Sequence, residues 1–335
     1  MDVALHDKLI NNFNDTKKEE LISHSNSCLN KQKRLSHFKS VTSRLALTGI
    51  FNSIQASQSK TYSTIAVSLE EPELINNYIE PFFVGLLEGD GTITTDLNGK
   101  SIRVRIVISL NNTPENLFML KKIKEKLGGR VIIERNNTYV TWIASNNKDL
   151  VKIFAVLAKF PLLTARKQSQ LEFATNCLLN KDLDNFLVNR KMKYKNKNLL
   201  LKNLAKIDNL PSYFAPWLSG FIEAEGNFSL VFKDKCQLRK SSFSIGQNDE
   251  LHILNWIKLY FKSNNIIITD KPKKDGNFKY YRLNLYNAES RKGIFEHFEK
   301  YPLLGYKNIS FNDWKKFHEN KDAQKFEEKI KIKTK

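Results

Sequence analysis

Cysteine is scarce in this chain: three among 335 residues, at positions 28, 177 and 236. Cys28, Cys177 and Cys236 stand far apart without the close pairs of a zinc site. Neither a disulfide framework nor a thiolate metal centre is expected, and a reducing compartment fits. His24 and Cys28 are four apart, but no second pair completes a ligand set. Also missing is any apolar run long enough to cross a bilayer. With a mean hydropathy of −0.44, the expectation is a soluble chain without a membrane partner. Acidic residues are outnumbered: 35 Asp and Glu against 54 Lys and Arg leave a formal charge of +19. Such an excess seeks a polyanion, with nucleic acid and an anionic membrane surface as the candidates.

What the chain does contain is one stretch written twice. Phe83-Val84-Gly85-Leu86-Leu87-Glu88-Gly89-Asp90-Gly91 returns as Leu218-Ser219-Gly220-Phe221-Ile222-Glu223-Ala224-Glu225-Gly226. Pro81 and Pro216, Gly85 and Gly220, Asp90 and Glu225, and Gly91 and Gly226 all stand 135 residues apart. Self-similarity of this kind signals two copies of one structural unit. Each copy reads as an apolar helix, opened by a proline at its first turn and ended by a glycine expected in the left-handed conformation. Gly85 and Gly89 fall on one helical face, as do Gly220 and Ala224. Small residues at that spacing let two backbones approach, so the two helices are expected to pair through Gly85, Gly89, Gly220 and Ala224.

Pairing would place Asp90 and Glu225 side by side at the helix C-termini, the negative pole of the dipole. Two carboxylates there repel each other, and a hard divalent cation removes the conflict. The plainer alternative, two solvated helix-terminal acids, is disfavoured by their matched positions. Glu88 and Glu223, two residues back, fall on another face and are expected to be structural.

These stretches resemble the signature of the LAGLIDADG homing endonucleases in their double-motif, single-chain form, over roughly residues 75–320. The resemblance implies an α+β fold of two pseudo-symmetric αββαββα repeats whose antiparallel sheets form a DNA-binding saddle. It implies a monomer acting on double-stranded DNA at a long site, with two or three Mg²⁺ ions at Asp90 and Glu225 beside the Gly89 and Ala224 backbone. Mn²⁺ or Ca²⁺ would substitute in vitro. Some members assist splicing of their own intron, so intron RNA is the alternative partner. A fold that had lost cleavage is a third reading, which the presence of both acids argues against. The resemblance, with the abundant Lys and Asn typical of AT-rich genomes, implies an organellar gene and the mitochondrion.

Around the motifs the repeats read alike. Asn98-Gly99 signals a hairpin turn. In the strand that follows, Arg103, Arg105, Val107 and Ser109 alternate with Val104, Ile106, Ile108 and Leu110, a half-buried pattern. The apolar face would meet helices and the arginine face would be free. Gly128-Gly129 ends the next helix, and Asn136-Asn137 and Asp275-Gly276 mark further turns. Pro161-Leu162-Leu163 is answered by Pro302-Leu303-Leu304, 141 residues on. Six positions into each segment stand Arg166 and Lys307, where the family carries its active-site base or charge stabiliser. An arginine cannot carry a proton, so the neighbouring Lys167 is the substitute. Ser109 and Ser244, with Asn112 and Gln247, are polar positions suited to ordering catalytic water.

DNA contacts are expected from Arg103, Arg105, Ser109, Lys233, Lys240, Ser244, Gln247, Tyr280 and Arg282 on the sheet faces. Arg135, Lys271, Lys273 and Lys274 would flank them at the turns. Trp142, Trp217 and Trp256 read as core. The expected organisation is an N-terminal extension (1–70), a first repeat (71–180), a Lys- and Asn-rich surface linker (181–210), a second repeat (211–320) and a basic tail (321–335). Within the extension, the basic stretch from Lys31 to Arg44 reads as a solvated helix or a targeting element; Asp2 and Asp7 argue against a simple transit peptide.

Overall fold

The computed structural model describes residues 71–232, 238–270 and 279–333, with side chains over 78–232, 241–269 and 279–320. The expectations for residues 1–70, for Cys236 and the side chains of Lys233 and Lys240, and for Lys271, Lys273, Lys274 and the Asp275-Gly276 turn lie outside these.

Two helices form the spine: α1 (Glu71–Gly89) and, 135 residues after its motif, α7 (Phe214–Glu225). Pro81 stands inside α1 rather than at its start, because the helix runs back to Glu71. Pro216 does lie in the first turn of α7. The helices pack face to face. Phe82, Phe83, Leu86 and Leu87 of one and Trp217, Leu218, Phe221 and Ile222 of the other are fully buried. Each such side chain contributes roughly 1.5–3 kcal/mol relative to exposure. This seam is the centre of the core.

In the first repeat, β1 (Gly91–Asn98) and β2 (Ser101–Asn111) form the hairpin turned at Gly99, where φ is +58°. Helix α2 (Pro114–Leu127), capped by Thr113, leads to β3 (Arg130–Glu134) and β4 (Tyr139–Ala144). The antiparallel sheet has the order β1-β2-β4-β3. Two helices follow, α3 (Asn147–Lys159) and α4 (Ala165–Asn180), on either side of Pro161-Leu162-Leu163. The linker holds α5 (Phe186–Lys191) and α6 (Lys197–Leu204).

After α7 the order returns: β5 (Gly226–Phe232), β6 (Leu238–Asn248), α8 (Leu251–Tyr260), β7 (Ile268–Asp270), β8 (Tyr280–Leu285), α9 (Ala288–Lys300) and α10 (Lys307–Lys333). Its sheet order, β5-β6-β8-β7, matches the first. Helix α10 continues unbroken through the span expected to be a separate basic tail.

The alternation read from the sequence sets the sheet faces. Val104, Ile106 and Ile108 are buried against helices, and Arg103 and Arg105 lie opposite. Trp142 and Trp217 are fully buried and Trp256 nearly so. Among the described residues, no helix is long and apolar enough to cross a membrane.

Gly91 and Gly226 differ from expectation. Neither adopts positive φ; Gly226 is extended, at φ −73° and ψ 153°. What each position lacks is room. A Cβ on Gly91 would lie 2.7 Å from the Leu87 carbonyl oxygen, and one on Gly226 would lie 2.8 Å from that of Ile222.

Candidate active site and nucleic-acid interface

The helix pair stays close to its C-terminal end, where a Cβ on Gly89 would stand 3.1 Å from Cγ of Glu225. Asp90 and Glu225 follow directly from that contact and feel each other's charge. Burial, more than this repulsion, raises both carboxyls above the usual range. Lys307 and Lys167 oppose the rise at Asp90, while a hydrogen bond to Gln247 and then the same two lysines oppose it at Glu225. Four charged groups from both repeats thus share one field. Two carboxylates flanked by cations suit a hard divalent ion that keeps waters and takes phosphate oxygens as its remaining ligands. No group of three or more His, Cys, Asp or Glu side chains converges as a metal site among the described residues.

Lys167 is the basic residue of the first repeat at this centre. It is 3% exposed, and its Nζ donates to the Gly91 carbonyl, the peptide just after Asp90. Burial and the adjacent Arg166 lower its pKa to about 8, against the pull of Glu88, Glu225 and Asp90. Arg166, the other candidate, is exposed and turns away toward the linker. The helix phase of α4 explains the exchange: consecutive positions differ by about 100°, so only one can face the seam.

Glu88 and Glu223 hold the lysine-bearing helices in place. Glu88 accepts from the backbone N–H of Leu163 (2.7 Å) and Thr164 (2.6 Å) and from the Trp217 indole (2.9 Å). Glu223 accepts from Gly305 (3.1 Å) and Lys307 (2.9 Å). Each repeat also reaches across. Glu250 accepts from the backbone of Ala165 and Arg166, both at 3.2 Å, and Asn116 accepts from Tyr306 N at 2.9 Å. Acids at helix N-termini meet donors that have no intrahelical partner. The N-terminal ends of α4 and α10 are therefore fixed by both halves at once.

The polar strand positions are not equivalent. The two hairpins pair in registers that differ by two residues: Gly91 pairs with Ile108 (108 − 91 = 17) but Gly226 with Ile245 (245 − 226 = 19), and the shift at Val231/Phe232 supplies one of the two. Ser109 therefore corresponds to Gly246, and Ser244 to Val107. The Ser109 hydroxyl is tied to Thr141 (2.9 Å), and Asn112 donates to the Asn137 carbonyl (2.8 Å), a contact within the turns. Gln247, by contrast, reaches Glu225.

On the open sheet faces, Asp96 binds Arg103 at 2.5 Å and Arg105 at 3.5 Å. Tyr280 lies over Gly246, where a Cβ would meet its ring. Arg282 pairs with Gly246 across the strands, on the same face as Tyr280. Arg135, in a left-handed turn at φ 53°, stacks on Tyr139 at 4.7 Å.

A cavity of about 530 Å³ opens on the Glu225 side, lined also by Arg166, Tyr194, Lys197, Gln247 and Tyr280. Tyr194, Lys197, Glu250 and Asn116 carried no local sequence signal, because their roles come from contacts between distant segments.

A family model described as LAGLIDADG endonuclease matches residues 83–177 and 218–318. This chain belongs to the LAGLIDADG endonuclease family. Among relatives, the probable intron-encoded endonuclease aI3 of Dictyostelium citrinum is 34% identical over 256 residues, covering 75% of this chain and all of that protein (100%). Its namesake in Dictyostelium discoideum is 33% identical, over 71% of this chain and 96% of the relative. The Debaryomyces hansenii protein of that name is 32% identical, but the match spans only 37% of its length. Of solved LAGLIDADG structures, I-LtrWI bound to target DNA superposes with a TM-score of 0.56 at 19% identity, over 74% of this chain and 92% of that one. I-SmaMI bound to uncleaved DNA in the presence of calcium ions gives 0.55 at 18%, over 72% and 92%.

Proposed function

We propose that this chain is a site-specific, metal-dependent endonuclease that cuts both strands of duplex DNA as a monomer. The observation that carries the reading is the meeting of Asp90 and Glu225, one from each repeat, within a field shared with Lys167 and Lys307. These two acids would hold the divalent ion, for which we propose Mg²⁺. Such an ion, when bound, supplies charge neutralisation at the phosphate and a more acidic water.

The chain's own groups do the rest. Lys167 and Lys307 bring positive charge to a phosphate placed over the acids, where a reaction that concentrates negative charge benefits most. Gln247 orients the Glu225 carboxylate through its hydrogen bond. Glu88, Glu223, Glu250 and Asn116 keep the lysine helices from drifting. The sheet faces, with Arg103, Arg105, Ser109, Ser244, Tyr280 and Arg282, bind the duplex; β-ribbons of this size enter the major groove. Arginines there can read guanine, whereas phosphate contacts fix position. The relatives' names point to an intron-borne gene, and with the Lys- and Asn-rich composition we place the protein in the mitochondrion.

The test is incubation with a duplex spanning the intronless exon junction, with Mg²⁺ and then with EDTA. Paired cuts at one position that vanish with EDTA are expected. Tight binding without cutting in Mg²⁺, or cutting unaffected by EDTA, would overturn the reading.

A further inference from the structure

The linker between the repeats lines the cavity that Glu225 also lines. Tyr194, between α5 and α6, accepts a hydrogen bond from Gln170 Nε2 at 2.9 Å. The Gln170 side chain is buried and accepts from the Ile93 backbone N–H at 3.3 Å, which fixes it to the first sheet. The same phenol is a hydrogen-bond partner of Arg166. Gln170 thus locks the phenol, and the phenol holds the guanidinium at the wall of the cavity that Glu225 also lines. Three residues on, Lys197 binds Asp249 at 2.8 Å and pins the linker to the second repeat.

Charge decides what this wall is for. Arg166 forms no ion pair among the described residues, and its tether is a neutral phenol rather than an acid. An arginine held by a phenol keeps its full charge for an incoming anion. A guanidinium and a phenol together present converging donors, the geometry that suits phosphate oxygens. The cavity falls within the range of ligand-sized spaces, roughly 300–1,000 Å³.

We propose that Arg166 binds a backbone phosphate of one DNA strand next to the cleavage position on the Glu225 side, and that Tyr194 is the linker residue that positions it. The inference rests on the endonuclease reading above and makes the linker part of the substrate site.

Binding of the junction duplex is measured in Ca²⁺ over a salt series for wild type, Arg166→Ala, Tyr194→Phe and the double variant. Arg166→Ala is expected to weaken binding about tenfold and lower the salt slope by about one. Tyr194→Phe should weaken it by about threefold, with its melting temperature unchanged. The double variant should bind no worse than Arg166→Ala, because Tyr194 acts through that residue. Duplexes carrying one methylphosphonate each should reveal a phosphate whose neutralisation weakens wild type but not Arg166→Ala. Multiplying effects, an unchanged salt slope in Arg166→Ala, or the absence of such a phosphate would overturn the proposal. Cleavage by wild type in Mg²⁺ separates this from the wider reading: a chain that cuts normally but shows any of these results defeats only the proposal for Arg166 and Tyr194, whereas one that neither binds nor cuts defeats both.

Discussion

Gly85 and Gly220 each lie against the backbone of the other's helix. A Cβ on Gly85 would stand 2.7 Å from the Phe221 nitrogen, and one on Gly220 would stand 2.9 Å from the Leu86 nitrogen. The contact is reciprocal, as a pseudo-twofold axis through the seam requires. Because the obstructing atoms are backbone, no rotamer change relieves them.

Gly85→Ala and Gly220→Ala should each cost about 3 kcal/mol or more in urea unfolding, at the upper end of overpacking penalties. Gly99→Ala is the comparison. It has positive φ with open space around it, so its cost should stay near the 1–2 kcal/mol of left-handed strain. Equal losses at the three sites would contradict the close approach.

Glu250 makes stability depend on pH. Burial raises its carboxyl from 4.5 to about 7, against the opposing backbone N–H groups of Arg166 and Ala165, with Glu88 adding to the rise and Lys197 countering it. His252 also faces it, at 3.8 Å. A folded-state pKa above the unfolded one means the folded chain holds the extra proton. That contribution is complete below about 4.5 and is lost as pH rises through about 7. Between about pH 5 and about pH 8, wild type should lose about 2 kcal/mol relative to Glu250→Gln, read from urea midpoints. A constant difference would contradict the assignment.

Asp96 should restrain non-specific DNA binding. It occupies Arg103 and Arg105 on the sheet face, and their guanidinium groups hold its carboxyl below the usual range. Asp96→Asn should bind unrelated duplex more tightly and steepen the salt slope by about one. Affinity titrations at several salt concentrations check this; an unchanged slope would show that the pair does not compete with phosphate.

Much of this was legible in the sequence because it is periodic or repeated. The doubled motif placed α1 and α7 together, and the alternation in Arg103–Leu110 gave the buried and open faces of β2. Counting failed wherever a local irregularity intervened. The two hairpins pair in registers that differ by two residues, so Ser109 and Ser244 do not occupy equivalent places, a displacement no fixed spacing reveals. Helix phase buries Lys167, already offered as the substitute for Arg166, beside the Gly91 carbonyl and leaves Arg166 exposed. Glycine signalled Gly91 and Gly226 correctly as special positions, yet the constraint was space and not φ. Tyr194 was out of reach, since its neighbours Gln170 and Arg166 lie on another helix.

As proposed above, the acids of the two repeats serve one metal-dependent cleavage centre. Strand-resolved cleavage by Asp90→Asn and by Glu225→Gln, beside duplex affinity in Ca²⁺, tests it most directly. Either change should slow cutting by about a hundredfold or more while the fold and DNA affinity persist. Two variants that still cut both strands at the wild-type rate would contradict it.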